Sequence, residues 1–446
     1  MTTNGLLIFT MAMTFLGFGY LGVPVPFALI AGVLLVTSFT PVSMASMMAQ
    51  LFNGIDVEAL LAVPFFLLVG ELMTSANVTG RMIALSQAMV GHIRSGLAQV
   101  VTVFSIFFAG ISGSSAADVA VLTRTLGPEM KREGYDLGFV AALIASASTM
   151  ANLIPPSIMA VVYGATGNVS IGGLFLGGVV PGLLVGLGLM VYSYFFGPVG
   201  VTRRRSSFGE FTDAAKGAAV PLMIPIIIMG GILTGFFTPT EAGVIAAVYI
   251  LVVVIPLLNP RHIPRLPHDM AITGLLYSIP LITIAAASAF GWMLAYLRGP
   301  AVVSGWIASA AGNDPTMIML LLVLLFIIVG DFIDAIPAII IFMPIILDLT
   351  QNSDINSVHM GVVIIVTLAF GLITPPYGLA LLMGSKFVGV SFGRAMLASF
   401  PIYVVFLATI LFSIFLPEVV LWLPRMLLPQ SVGCFANPNG AGWICP

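Results

Sequence analysis

Residues Ile171 to Phe196, Val220 to Phe237, Ala242 to Leu258 and Ile272 to Leu297 each run without one charged side chain. About 20 apolar residues make a helix long enough to cross a bilayer. Within lipid only helices and closed barrels satisfy their own backbone hydrogen bonds. The rest of the chain has the same character. Its 446 residues include only 15 basic and 17 acidic side chains, 7% in all, against roughly 25% in a soluble domain. The mean hydropathy is +1.15. So few charges cannot cover so much apolar surface in water, so the solvent is a lipid bilayer. The fold class predicted is an all-α polytopic membrane protein, with about eleven transmembrane helices plus two re-entrant hairpins. Two cysteines exclude a disulfide scaffold, and a net charge of −2 without a basic stripe excludes nucleic acid as a partner. Only four histidines (His92, His262, His268, His359) speak against a metal-dependent hydrolase.

The chain is doubled. Pro155-Pro156 is followed by Val169-Ser170-Ile171-Gly172 and Pro181, and Pro375-Pro376 by Val390-Ser391-Phe392-Gly393 and Pro401. The intervals agree: 15 against 16 residues to the serine, then 9 against 8 from glycine to proline. Upstream, a polar break at Ser112 lies 43 residues before the first Pro-Pro, and one at Asp331 lies 44 before the second. Repeats that interrupt their helices at matching places point to a secondary transporter and its binding site.

The first break, from Phe108 to Asp118, puts the hydroxyls of Ser112, Ser114 and Ser115, the glycines Gly110 and Gly113 and the Asp118 carboxylate inside an apolar run, which is costly unless they line a site. A re-entrant hairpin explains it: the glycines turn the tip, and serine oxygens with freed carbonyls coordinate a hard cation. The second break places Asp331 and Asp334 three residues apart, on one face of a helix, between apolar runs of about ten residues. Each Pro-Pro removes two backbone donors and frees carbonyls one turn earlier. The half-helix that follows offers unpaired N–H groups to a carboxylate. Glu71, Lys386 and Arg394 read as braces or snorkelling residues, and Glu241 as part of a helix start.

Residues 42–55 read as an interfacial segment, 259–270 as a polar linker, and 395–423 as the last span. The domain boundaries expected are 1–95 (scaffold helices and arm), 96–198 (first repeat), 199–300 (central scaffold), 301–395 (second repeat), 396–430 (last helix) and 431–446 (polar tail). The first basic residue is Arg81, which favours a non-cytoplasmic N-terminus, and Arg203-Arg204-Arg205 favours the cytoplasm. A disulfide between Cys434 and Cys445 would require that tail to lie outside the cell.

At these residues the chain resembles the large membrane subunit of the tripartite ATP-independent periplasmic (TRAP) transporters. The resemblance rests on Gly54-Ile55-Asp56 with Pro64-Phe65-Phe66, Gly70-Glu71-Leu72-Met73, Val90-Gly91-His92-Ile93-Arg94 and Phe107-Phe108-Ala109-Gly110-Ile111-Ser112-Gly113-Ser114 through Asp118. Further segments are Ile154-Pro155-Pro156-Ser157, Gly235-Phe236-Phe237-Thr238-Pro239-Thr240-Glu241-Ala242 and Gly371-Leu372-Ile373-Thr374-Pro375-Pro376. The matching segments span roughly residues 1–425 in one order.

The resemblance implies an inverted-repeat, elevator-type importer of an organic acid, a C4-dicarboxylate, sialic acid or similar carboxylate. It would be driven by two or more Na⁺ in a bacterial or archaeal inner membrane. Its partners would be a small four-helix membrane subunit, carried on a separate chain, and a periplasmic substrate-binding protein. It places one Na⁺ at Ser112, Gly113, Ser114, Ile154 and Pro155, and another at Asp331, Asp334, Thr374, Pro375 and Gly378. The substrate would lie between them at Ser114, Ser115, Ser157, Thr374 and Tyr377. This chain departs from the family pattern at Asp331, often apolar there, at Ala151-Asn152, usually of Gly-Pro type, and at Thr367, usually Asn. The alternatives are a stand-alone Na⁺/dicarboxylate symporter, an intramembrane hydrolase using Asp331 and Asp334, and a scaffold without transport. No enzymatic role is expected.

Overall fold

The computed structural model describes residues 3–76, 78–198, 204–312, 314–351, 353–436 and 443–444. Helices Thr3–Tyr20 and Val25–Thr37 are joined by a short turn, where Gly22 takes a positive φ of 87° and Pro24 opens the second helix. Among the described residues, five helices are long and apolar enough to cross a membrane: Ile171–Phe196, Phe208–Leu233, Pro239–Leu258, Pro260–Tyr296 and Phe392–Phe415. A bent pair, Met44–Asn53 with Glu58–Thr74, meets the same test across a 56° break. The other apolar helices are 10–17 residues long, so much of the apolar sequence sits in interrupted elements.

The repeat is visible as a repeated order of elements. The first copy runs Gly96–Ser112, Ser115–Thr125, then Leu137–Ser148 extended by a 3-10 turn Thr149–Asn152, then Ile158–Gly167 and Ile171–Phe196. The second runs Pro315–Gly330, Ala335–Gln351, Ser357–Gly371, Leu379–Val388 and Phe392–Phe415. Both Pro-Pro bonds, Pro155-Pro156 and Pro375-Pro376, are cis, and both closing helices carry an internal proline, Pro181 and Pro401. A short helix, Gly127–Arg132, is present in the first copy alone among the described residues. The copies interleave. Ile158–Gly167 packs on Ala335–Gln351 of the second copy, and Leu379–Val388 packs on Ser115–Thr125 and Leu137–Ser148 of the first. The helices Thr3–Tyr20, Val25–Thr37, Met44–Asn53, Ala62–Ser75, Val78–Val90, Phe208–Leu233 and Pro239–Tyr249 pack mainly on one another and on Leu266–Tyr296 around this pair.

Three expectations are corrected. The two helices of the second break are 16 and 17 residues long, not about ten. Asp314 caps the first of them by accepting from the Thr316 N–H at 2.9 Å, so it starts earlier than hydropathy alone suggests. The segment 259–270 is helical rather than a linker. Pro260 and Pro267 sit in the first turns of Pro260–Arg265 and Leu266–Tyr296, where a missing N–H costs nothing, and His262 pairs with Asp269 at 2.5 Å. The last span ends at Phe415, because Pro417 disfavours the helical state of Leu416 and starts a separate helix, Pro417–Leu427.

The tail forms a two-stranded antiparallel pairing of Phe435–Ala436 with Trp443–Ile444. Cys434 is disulfide-bonded. Cys445 and Arg203 lie outside the described residues.

Candidate functional site

The first tip is a two-residue interruption. Ser112 ends its helix fully buried, Gly113 takes φ 59°, and Ser114 is extended at the cap of the helix that starts at Ser115. Gly113 is required twice over. Its φ is left-handed, and a Cβ there would lie 2.7 Å from the Pro156 carbonyl. The tip therefore rests backbone against backbone on the first Pro-Pro break. That break spans Leu153 to Ser157. The Ser157 hydroxyl donates to the Asn152 carbonyl at 2.5 Å and accepts from the Ala160 N–H at 3.2 Å, so it caps the half-helix.

The second tip meets the second break in the same way, through different chemistry. The Thr374 hydroxyl donates to Asp331 at 2.7 Å. A Cβ at Gly371 would lie 3.0 Å from Gly330 Cα. The Asp334 carboxylate accepts from the Ala335 N–H at 2.9 Å, at the head of its helix. Gly378 takes φ 41° and opens the last half-helix, Leu379–Val388. Tyr403 steadies this break by donating to the Ile373 carbonyl at 2.9 Å.

A cavity of about 180 Å³ lies where these four interruptions converge. Ser114, Ser115 and Asn152 line it from the first copy, and Asp334 from the second. The opening residues of four helices face it: Ser115 and Ala116, Ile158 and Met159, Ala335 and Ile336, and Leu379. Four helix starts therefore surround one space; some of their N–H groups are spent on Ser157, Asp334 and the Leu372 carbonyl, and the partial positive charge that remains at a helix start favours an anion. Asp334 is the one charged side chain on the wall among the described residues, and no Lys or Arg reaches it.

The residues singled out in the sequence divide into three groups. Ser114, Ser115, Gly113 and Asp334 line the cavity. Ser112, Pro155, Thr374 and Gly378 lie buried in the two tip-to-break contacts, with Ile154, Asp331 and Pro375 part-buried. Ser157 is used as a cap, and Tyr377 is 46% exposed and outside the cavity wall. Arg394 does not reach the cavity: it pairs with Asp136 across the two copies. Glu241 forms a capping box with Thr238, as its position suggested.

Two residues without an assigned role in the sequence reading carry unpartnered buried atoms. Asn152 was visible only as a departure from a family pattern, yet it lines the cavity with its Nδ2 buried and unpartnered. Asp118, on the outgoing helix of the first tip, is buried with neither carboxyl oxygen hydrogen-bonded. A larger cleft of about 530 Å³ lies between Glu58, Thr238–Thr240 and the turn at Asn168–Gly172. It contains none of the interruption residues.

A helical membrane protein whose repeated halves both open their backbone around one shared cavity is, by its architecture, a transporter. The chain belongs to the family of the DctM component of tripartite ATP-independent periplasmic transporters, whose model matches residues 12–419. The C4-dicarboxylate TRAP transporter large permease protein DctM of Pseudomonas aeruginosa is 36% identical over 400 residues, covering 89% of this chain and 93% of that one. The sialic acid TRAP transporter large permease protein SiaM of Vibrio cholerae is 33% identical, covering 93% and 97%. The 2,3-diketo-L-gulonate large permease YiaN of Escherichia coli is 30% identical, covering 90% and 95%. These relatives are transporter permeases, not enzymes.

Two solved structures share the fold. The YdaH transporter of Alcanivorax borkumensis aligns at a TM-score of 0.58 with 15% identity, covering 84% of this chain and 88% of that one. MtrF of Neisseria gonorrhoeae aligns at 0.51 with 12% identity, covering 84% and 83%.

Proposed function

We propose that this large permease subunit imports an organic anion by Na⁺ symport across a bacterial or archaeal inner membrane. The observation that carries the reading is the single cavity shared by both tips and both breaks. Two or more Na⁺ would be held beside it. Carbonyl and hydroxyl oxygens around Ser112–Ser114 and Ile154–Pro155 suit one ion. The Asp331–Thr374 contact, Asp334 and the carbonyls before Gly378 suit another. The donors fit a hard cation, because all are oxygens and both tips are pinned against their breaks. Co-bound cations offset the charge of an acid that must cross a low-dielectric barrier.

The direction of each element follows from counting crossings. From the first tip, the chain crosses by its broken helix and then by four long spans before the second tip begins. Five crossings put the tips on opposite faces, which makes the repeats inverted and suits an elevator that alternately exposes one site. On that path twelve of the fourteen described Lys and Arg residues fall on the face of the first tip, with Arg298 and Arg425 opposite. The positive-inside rule makes that first face cytoplasmic. Arg298 then lies outside, as do the N-terminus, whose Asn4 amide donates to Leu297 at 3.4 Å, and the disulfide-bonded Cys434. A small membrane subunit and a periplasmic binding protein complete the reading, since the relatives are parts of tripartite systems.

The test is Asp334→Ala in the complete membrane complex, in proteoliposomes supplied with its binding protein. Na⁺-driven uptake should be lost while the protein still inserts and purifies. Parent-like Na⁺ dependence in that variant removes Asp334 from the ion site. Equal uptake in Na⁺ and K⁺ by the parent overturns symport itself.

A further inference from the structure

The segment after the last span has no part in the transport reading. Phe392–Phe415 stops at Leu416, and Pro417 opens a separate helix, Pro417–Leu427, on the side that holds Arg425. The family model ends at residue 419, so most of this helix lies beyond what the family shares.

One face of the helix is spent on the protein. Val420, Leu421 and Pro424 are buried, and the helix packs on Ile171–Phe196 of the first copy and Ser357–Gly371 of the second. Glycines permit the approach. A Cβ on Gly172 would lie 3.0 Å from Leu428 Cδ2, and one on Gly177 would lie 3.8 Å from the Val420 carbonyl oxygen. The helix therefore runs over the first two turns of Ile171–Phe196, the outer end of that span. Beyond it, a Cβ on Gly173 would lie 2.8 Å from Ser431 Oγ, and Asn356 donates its Nδ2 N–H to the Val432 carbonyl at 3.0 Å. Contacts on both sides of the helix fix which way it faces.

The opposite face is apolar and uncovered. Val419, Trp422 and Met426, at helical spacing, are 38%, 58% and 66% exposed. Continuity shows what covers them. Along the last span Leu397, Phe400, Val404, Leu407, Leu411 and Phe415 are exposed at intervals of three or four residues, the lipid-facing stripe of a membrane helix. Val419, Trp422 and Met426 carry the same intervals on past the break at Leu416. Glu418 and Arg425, paired with each other, fall together on the edge between the buried and the uncovered faces, where headgroup water can reach them. The chain's four tryptophans, Trp292, Trp306, Trp422 and Trp443, all fall on the outer side of the inverted path. The headgroup level is where a bilayer collects that side chain.

We propose that Pro417–Leu427 is an outer-leaflet anchor, whose Val419, Trp422 and Met426 face docks into the headgroup interface of the bilayer while its buried face ties both copies to that depth. The proposal rests on the inverted path only for which leaflet is meant.

The test is tryptophan quenching in the complete membrane complex, reconstituted in bilayers brominated alike in both leaflets. The emission of Trp422 is the parent spectrum minus that of Trp422→Phe, so every other tryptophan of the complex cancels. An unchanged melting temperature in Trp422→Phe reports an intact fold. The difference emission should be lost with bromine near the headgroup, fall less with bromine near the chain ends, and persist with iodide in the water. Trp422→Phe combined with Met426→Trp moves the reporter one turn along the same face and should give the same order. Loss to iodide with none to either lipid puts the face in water, open to a soluble partner, and overturns the proposal. Emission that neither lipid nor iodide reduces means that another protein subunit covers the face, and overturns it too. Stronger loss to chain-end bromine sinks the helix into hydrocarbon and overturns the interfacial depth. Because both leaflets carry the quencher, any of these failures leaves the sidedness and the symport reading standing.

Discussion

Asp136 does two jobs with one carboxylate. It caps helix Leu137–Ser148 by accepting from the Phe139 N–H at 3.1 Å, and it pairs with Arg394 at the start of the helix that closes the second copy. Burial pushes its carboxyl up, but the Phe139 N–H and the Arg394 guanidinium outweigh that and hold it below its ordinary value. A depressed carboxylate contributes stability that is fully present above its unfolded pKa and is lost as pH falls through the folded one. Thermal unfolding in detergent should therefore show this contribution intact at neutral pH and fading only below pH ~4. Asp136→Ala should cost about 1 kcal/mol through the cap, and Asp136→Asn far less, because asparagine also caps and the half-exposed ion pair contributes little. Equal losses in the two variants would move the effect from the cap to the pair. The sequence marked Arg394 as a snorkelling residue. Its partner lies 258 positions away, beyond anything a local pattern encodes.

Between elements, the tips and breaks work because backbone can approach backbone. Gly113→Ala combines a left-handed φ with a Cβ 2.7 Å from the Pro156 carbonyl, a backbone atom rather than the end of a flexible side chain. The expected loss is about 1–3 kcal/mol from overpacking, with the backbone penalty added. Gly230 is the control: it sits inside helix Phe208–Leu233 and a Cβ there meets nothing within 4 Å. Gly230→Ala should leave uptake unchanged and raise stability slightly through helix propensity. If Gly113→Ala melts and transports like Gly230→Ala, the tip does not depend on that contact. The interruptions at Ser112, Pro155, Asp331 and Pro375 were legible in the sequence, because polar and Pro-Pro clusters stand out against apolar runs. Their contacts were not. That Thr374 reaches Asp331 while Tyr377 points away from the cavity depends on how seven residues between two helices turn.

For the whole molecule, the inverted reading makes a simple accessibility prediction. With Cys434 and Cys445 replaced by serine, Asn4→Cys should react with an impermeant maleimide in intact cells, and Arg205→Cys only after the membrane is opened. The opposite pattern would reverse every element at once. The hydropathy record located the long spans but misjudged the segment around Pro260 and the end of the last span. In both places a proline reads as a break in sequence, and in the structure it opens a helix.

Lipid as the solvent, the doubling of the chain and the four places where its helices break were determined by the sequence alone. Each of these follows from local composition: uncharged runs, recurring spacings, and polar or Pro-Pro residues where hydrocarbon would be expected. The tertiary structure alone decided that the four interruptions meet in one cavity, that four helix starts face it, and that Asn152 rather than Ser157 is left with an unpaired donor there. Those facts depend on contacts between residues up to hundreds of positions apart, and packing, not local pattern, chooses which side chain is spent on a cap and which remains free.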